Sequence, residues 1–151
     1  MIGVFDSGMG GLSVVRALRV RAPLADIVYF GDIANMPYGT KDVQTLERLT
    51  IDAMRLLRRE GATHLVSACN SISAAVVRPM LELFGVKESS IVEMVGPAAL
   101  ALAALKPRKV AVAATIATVA SGIYQKHLED LGLRVEMIAS PDLAQAIEFG
   151  H

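Results

Sequence analysis

Short apolar runs rich in Val and Ile alternate with longer amphipathic stretches along the whole chain. Such runs are typical of parallel strands that are buried on both faces, each followed by a crossover helix. We therefore expect an α/β fold in which repeated strand-helix units form a three-layer sandwich around a parallel sheet. The predicted strands cover residues 2–5, 27–30, 64–68, 91–95, 110–114 and 134–138.

The clearest predicted helix covers residues 45–60, and Gly61 stands where such a helix ends. Charged side chains occupy one side of it and apolar side chains recur at helical spacing on the other. The apolar, core-facing side is predicted to consist of Leu46, Leu49, Ala53, Leu56 and Leu57. A second helix, rich in Ala and Leu, is predicted to begin at Pro97 and to be ended by Pro107.

The chain has 151 residues, enough for one sizeable core but few for two ordinary domains. The Ala- and Leu-rich stretch is the one shift in composition, so we place a domain boundary near residue 95. Residues 1–95 are then an α/β domain that carries the single cysteine, and residues 96–151 are the start of a second, incomplete α/β domain. One continuous sheet is the alternative on physical grounds.

Charge and residue usage exclude several classes of function. Fifteen Lys and Arg balance fifteen Asp and Glu, so we expect neither a nucleic acid nor a membrane surface as partner. One cysteine rules out an intrachain disulfide, and the three histidines lack metal-ligand spacing, so no metal is expected. No apolar run reaches the roughly 20 residues that cross a bilayer, and no export peptide is visible, which predicts a reducing cytoplasm.

Polar and glycine-rich segments follow the predicted strands. Functional groups of a parallel sheet gather at the carboxyl ends of its strands, so we expect these segments to meet at one edge. They are residues 6–11, 31–40 and 69–71, together with Thr115 and Thr118.

The first of these loops invites a nucleotide-binding interpretation, which the sequence disfavours. Gly8 and Gly10 fit a dinucleotide fingerprint, but Ser13 stands where its third glycine belongs. Backbone N–H groups at a helix N-terminus also bind carboxylates, so the loop suits an acidic ligand. The alternative is that the glycines only permit a tight turn and close helix packing.

Cys69 is the strongest candidate for chemistry. A lone cysteine is often an inert buried side chain, but this one ends a strand, precedes Asn70 and Ser71, and opens a helix. We expect the helix dipole to lower its pKa toward the thiolate. Asp6, at the end of the first strand, is a predicted neighbour that can orient the thiol or accept its proton.

Three ordered motifs resemble those of the glutamate racemases, within the aspartate/glutamate racemase superfamily. They are Asp6-Ser7-Gly8-Met9-Gly10-Gly11-Leu12, Tyr29-Phe30-Gly31-Asp32 with Pro37-Tyr38-Gly39-Thr40-Lys41, and Ala68-Cys69-Asn70-Ser71. The likeness continues through residues 110–124 and 141–150.

The resemblance implies cofactor-independent racemisation of glutamate, which supplies D-glutamate for peptidoglycan. In that family two cysteines act on opposite faces of the α-carbon, one as base and one as acid. Transferred residue by residue, Cys69 is one acid/base and Asp6 is its supporting carboxylate. The implied substrate-binding residues are Ser7, Pro37, Tyr38, Gly39, Asn70, Ser71 and Thr118, with Thr115 and Glu148 as further candidates.

The family's second cysteine, in a Cys-Thr-His segment, falls beyond residue 151, so we expect a chain that lacks the C-terminal part of the site. Ser71, Ile72 and Asn35 also differ from the residues usual in the family. The resemblance further implies a homo-oligomer, a dimer in the usual case. Two alternatives stay open: a single-cysteine relative that acts on aspartate or another small acid, and a non-catalytic fragment that binds an acidic amino acid.

Overall fold

The structure, a computed structural model, describes residues 1–75 and 88–150. Strands and helices alternate through these ranges, which confirms the predicted α/β class. The elements are β1 (Ile2–Asp6), α1 (Leu12–Arg21), β2 (Ile27–Gly31), α2 (Val43–Arg59), β3 (His64–Ser67), α3 (Asn70–Ala75), β4 (Ile91–Val92), α4 (Val95–Ala104), β5 (Lys109–Ala114), α5 (Ile116–Ala120), α6 (Ile123–Asp130), β6 (Arg134–Ala139) and α7 (Leu143–Phe149).

The described strands form two parallel sheets rather than one continuous sheet. The first sheet has the order β2-β1-β3-β4, and β5 pairs with β6 in the second. Helix α4 links the last strand of the first sheet to the first strand of the second. The domain boundary near residue 95 stays a prediction.

The first sheet is covered on both faces, as the three-layer prediction requires. Successive side chains of a strand point to opposite faces, so neighbours on β1 enter different cores. Val4 packs toward α1, against Val14 and Leu18. Phe5 packs on the other face, in the core that α2 and α3 share with β3.

The second sheet builds its own core. Val110 of β5 lies with Ala99 of α4 and with Tyr124 and Leu128 of α6. Val135 and Met137 of β6 pack against the same cluster, so both helices lie on one face of this sheet.

Helix α2 begins earlier than predicted because Asp42 caps it, its Oδ1 atom accepting a hydrogen bond from Thr45 N at 2.8 Å. The placement of Leu56 on the buried face was wrong, since its side chain is 37% exposed. Leu57, one residue and about 100° further round the helix, is buried as predicted. Thr50 shares the buried face because its hydroxyl donates to Leu46 O at 2.7 Å.

Strand β4 is shorter than the predicted residues 91–95 because a helix starts within that range. The carboxylate of Glu93 accepts hydrogen bonds from Val95 N at 2.5 Å and Gly96 N at 2.8 Å. These bonds satisfy donors that a helix N-terminus leaves free, so α4 begins before Pro97. In the described part of the chain, no helix has the length and apolar character needed to cross a membrane.

Candidate active site

The carboxyl end of the first sheet opens into a cleft of ≈ 580 Å³. The expected loops meet at this edge, because Gly31 lies against Gly8 and Gly39 against Thr115, and three of the four loops line the cleft. Six of the predicted site residues line this cleft: Asp6, Ser7, Cys69, Asn70, Ser71 and Thr115. Ala144 and Ile147 of α7 border it from the other side.

Cys69 lies between β3 and α3 and is 5% exposed. Its thiol donates a hydrogen bond to Ser7 Oγ at 3.5 Å, across the mouths of two neighbouring strands. Its carbonyl accepts from the hydroxyl of Ser73 at 2.9 Å, and that hydroxyl also bonds Ser67 Oγ at 3.0 Å. The buried serine therefore ties the cysteine backbone to the end of its strand.

The predicted lowering of the Cys69 pKa is wrong in direction. Burial raises the pKa of the thiol, and the negative charge of Asp6 raises it further, against the lowering effect of the hydrogen bond with Ser7. Hydrogen bonds from the backbone of Ser71 and Ile72 lower it as well, but desolvation is the largest effect. The thiol is accordingly neutral at rest.

Asp6 holds the glycine loop that precedes α1. Its Oδ2 atom accepts hydrogen bonds from Gly8 N at 3.1 Å and Gly11 N at 3.0 Å. Gly11 has no room for a side chain, because an added Cβ would lie 2.7 Å from Asp6 Cβ. The carboxylate thus has a fixed orientation beside the thiol.

Tyr29 supports the same loop and was not among the predicted site residues. Its hydroxyl donates to Gly8 O at 2.7 Å. Gly31, two residues along β2, leaves space for that carbonyl. The available signal in the sequence was the position of Tyr29 in the Tyr29-Phe30-Gly31-Asp32 motif.

Three hydroxyls connect the two sheets beside the cleft, and we call them the hydroxyl chain: Ser71, Thr115 and Thr118. Thr115 Oγ1 lies 3.1 Å from Ser71 Oγ and 3.0 Å from Thr118 Oγ1. Thr115 also caps α5, accepting from Thr118 N at 3.3 Å. Thr118 is 1% exposed and does not line this cleft, but it lines an adjoining cavity of ≈ 510 Å³ together with Asn70 and Thr115.

Tyr38, predicted to bind substrate, has its side chain in the core rather than on the cleft wall. The ring is 1% exposed and stands edge-on to Phe5, and the hydroxyl donates to Asp32 Oδ2 at 2.5 Å. Burial and this bond raise the pKa of Tyr38 far above its usual value. Asn35 Nδ2 donates to both oxygens of Asp32, at 2.9 and 3.0 Å.

The two chain neighbours of Tyr38, also predicted to bind substrate, differ from each other in burial. Pro37 is half-buried at the start of the turn, whereas Gly39 is buried against Thr115. Glu148 lies in α7, but its side chain falls outside the described residues.

Asn70 opens α3 and is exposed, between buried Cys69 and buried Ser71. Its Oδ1 atom accepts a hydrogen bond from the hydroxyl of Tyr124 at 2.7 Å. Tyr124 was not predicted to belong to the site. Across residues 1–75 and 88–150, no three His, Cys, Asp or Glu side chains group closely enough to hold a metal ion.

Residues 12–148 match the family model described as Asp/Glu/Hydantoin racemase. The chain belongs to the Asp/Glu/Hydantoin racemase family. The match confirms the resemblance that the three loop motifs indicated.

Relatives of this racemase-family chain include proteins named glutamate racemase. The protein from Koribacter versatilis is 42% identical over an alignment of 151 residues that covers 99% of this chain and 51% of the relative. The structure of glutamate racemase from Aquifex pyrophilus superposes with a TM-score of 0.85 at 37% identity, covering 99% of this chain and 58% of that one. The Francisella tularensis enzyme, solved in complex with D-glutamate, gives a TM-score of 0.86 at 34% identity, covering 99% and 56%.

This member of the racemase family spans little more than half the length of those relatives. The chain shares its α/β architecture with the matching part of those relatives.

Proposed function

We propose that this chain supplies one side of a glutamate racemase site, in which Cys69 transfers a proton at the α-carbon of glutamate. The observation that carries the proposal is the placement of the thiol. It lies at the carboxyl edge of a parallel sheet, hydrogen-bonded to Ser7, in a cleft that also holds Asp6. The named activity of the relatives is consistent with this role.

The cleft wall offers neutral polar groups for an acidic amino acid. The hydroxyls of Ser7 and Ser71 and the amide of Asn70 can donate hydrogen bonds to carboxylate oxygens. Donors aimed at a substrate carboxylate also stabilise the negative charge that builds up on it when the α-proton leaves. Glutamate, with two carboxylates, is the ligand that we propose.

The raised pKa of Cys69 defines its resting role as an acid. In one direction the S–H bond breaks and a C–H bond forms at the α-carbon. In the other direction the α C–H bond breaks, the proton goes to the thiolate, and the electron pair is shared between the α-carbon and its carboxylate. The thiolate that this second direction needs forms when the thiol gives its proton to water or to the Asp6 carboxylate, and the positive charge of the substrate ammonium favours it.

Inversion needs a second proton-transfer group on the opposite face of the α-carbon. The chain contains one cysteine, so the second thiol that the resemblance implies is not among these 151 residues. We propose one-sided exchange for this chain and full racemisation where a second thiol is supplied, with D-glutamate serving peptidoglycan in the cytoplasm. A homodimer stays a prediction.

The test is proton NMR of L-glutamate and D-glutamate, incubated separately with the protein in heavy water, followed by chiral analysis. We expect the α-proton signal of one enantiomer to disappear without inversion, because Cys69 faces one side of the substrate. Cys69→Ala abolishes this loss. Thr50→Val, which removes a buried hydroxyl bond remote from the cleft lining, leaves it intact. Exchange that survives in Cys69→Ala would falsify the assignment.

The same assay decides between acidic substrates. The family description includes aspartate and hydantoin, so both compounds are assayed beside glutamate. Faster exchange on aspartate than on glutamate contradicts the proposed substrate but keeps the role of Cys69.

A further inference from the structure

One hydrogen bond joins the second sheet's core to the residue after Cys69. Tyr124 of α6 is 9% exposed, its ring lies in the core with Val110 and Leu128, and its hydroxyl lies 2.7 Å from Asn70 Oδ1. Asn70 is exposed and borders the cleft. The bond therefore connects a buried, fixed donor to a side chain that faces the substrate site.

The two ends of an asparagine amide are chemically different. Oδ1 only accepts hydrogen bonds and Nδ2 only donates them. Burial and the charge of Glu93 raise the pKa of Tyr124, so its hydroxyl keeps its proton and is able to donate. Glu93 itself is engaged by Val95 N and Gly96 N, at the start of α4. With Oδ1 bound to Tyr124, the Nδ2 end is the one left for the cleft.

We propose that Tyr124 is a positioning residue that fixes the Asn70 amide with its N–H donors toward the substrate, so that the site selects a carboxylate over a carboxamide there. The inference rests on the proposed function, since it concerns how the same cleft recognises an acidic substrate. A carboxylate offers charged acceptor oxygens to Nδ2. A carboxamide offers one neutral oxygen and one NH₂ group. An NH₂ group placed against Nδ2 of Asn70 faces another donor and forms no hydrogen bond with it.

A double-mutant cycle separates positioning from packing, because the ring of Tyr124 also contributes to the core. Tyr124→Phe keeps the ring and removes the hydroxyl, and Asn70→Ala removes the amide. The measurement is kcat and KM for α-proton exchange with glutamate, glutamine and isoglutamine, in the wild type, both single variants and the double variant. Glutamine and isoglutamine each replace one of the two carboxylates by a carboxamide.

We expect Tyr124→Phe to raise KM for glutamate about five-fold, the loss of one ordinary hydrogen bond, with kcat nearly unchanged. Discrimination against one of the two amides falls, because the freed amide can turn Oδ1 to the cleft. In the Asn70→Ala background the hydroxyl has nothing to position, so Tyr124→Phe changes KM no further. Thr50→Val is the matched control, a buried hydroxyl lost elsewhere, and it leaves KM unchanged.

Two results overturn the inference: an equal effect of Tyr124→Phe with and without Asn70, or unchanged discrimination among the three substrates. Absence of exchange in the wild type is instead a failure of the proposed function. The orientation of the Asn70 amide is measured separately, by NMR of the unliganded protein. Strong nuclear Overhauser contacts between the ring protons of Tyr124 and the Nδ2 protons of Asn70 contradict the inference, and weak contacts support it.

Discussion

Gly39 lies so close to Thr115 that a Cβ at position 39 would stand 2.6 Å from both Cβ and Cγ2 of Thr115. The two residues follow strands of different sheets: Gly39 lies in the turn after β2, and Thr115 lies between β5 and α5. Ala117 N also donates to Gly39 O at 3.1 Å. The two sheets are therefore held together beside the hydroxyl chain by a contact that only glycine permits.

Gly39→Ala should destabilise the protein by about 1–3 kcal/mol, the usual cost of forcing atoms into a filled space. Urea unfolding at neutral pH measures this change. Gly10→Ala is the matched control, because its Cβ would meet nothing nearer than Asp6 Oδ2 at 3.7 Å. Thr115→Ser removes one of the two clashing atoms and should recover part of the loss. Equal stabilities of Gly39→Ala and the wild type would show that the residues around position 39 accommodate the added methyl group at no cost in stability.

Asp6→Asn should make Cys69 more reactive. The amide keeps an oxygen that can accept from the glycine loop but removes the charge that helps to raise the pKa of Cys69. The pKa of the thiol then falls, and the thiolate fraction at a given pH rises. The rate of alkylation by iodoacetamide, followed by mass spectrometry from pH 6 to about 10, reports this shift. Asp52→Asn, at an exposed site on α2, serves as control; a midpoint unchanged in Asp6→Asn contradicts the role of its charge.

The stability of the protein should fall in alkali because of Cys69. Its pKa is raised in the folded state, so the folded protein holds the proton more tightly than the unfolded chain. The resulting stabilisation is complete below the unfolded pKa of about 8.5 and is lost as pH rises through the folded pKa. The slope is at most about 1.4 kcal/mol per pH unit.

Cys69→Ser isolates this effect, because the raised pKa values of Tyr38 and Tyr124 are shared by both proteins. The free energy of unfolding of the wild type, relative to Cys69→Ser, should decrease between about pH 7.5 and 9.5. A constant difference over that window means that the thiol is not held protonated by the fold.

Tyr38→Phe should cost more stability than Tyr29→Phe, although each removes one hydroxyl. Tyr38 donates to the carboxylate of buried Asp32, whereas Tyr29 donates to the carbonyl of Gly8. Hydrogen bonds to charged groups contribute roughly 1.5–3 kcal/mol and neutral ones roughly 1 kcal/mol. Chemical denaturation of both variants tests the order. A larger loss of stability for Tyr29→Phe would contradict the idea that the hydrogen bond from Tyr38 to the Asp32 carboxylate is the stronger of the two.

Local sequence patterns predicted most of the fold. The apolar runs identified every described strand. Burial on both faces explains this for β1 and β3, whereas β5 and β6 alternate between exposed and more buried positions for most of their length. The ends were less certain: β4 stops early because Glu93 caps a helix, and α2 starts early because Asp42 does the same. Caps depend on side-chain geometry that periodicity does not contain.

The sequence predicted which loops form the site but not the direction in which their side chains point. The rule for strand ends brought Asp6 and Cys69 together, since β1 and β3 are neighbours in the sheet. Nothing local shows that Tyr38 turns into the core, or that Tyr124 reaches Asn70 from 54 residues away. The sign of the Cys69 pKa shift depended on burial, and only the packed structure supplies it.

Burial of Cys69 has a further consequence for the chemistry of its sulfur. Peroxides and other oxidants attack the thiolate, and a neutral thiol that is 5% exposed is a poor target for them. The same desolvation that makes the resting thiol a proton donor also delays its conversion to sulfenic acid. Damage by solution oxidants is thereby confined to the brief charge state in which the sulfur is ready to remove a proton from its substrate.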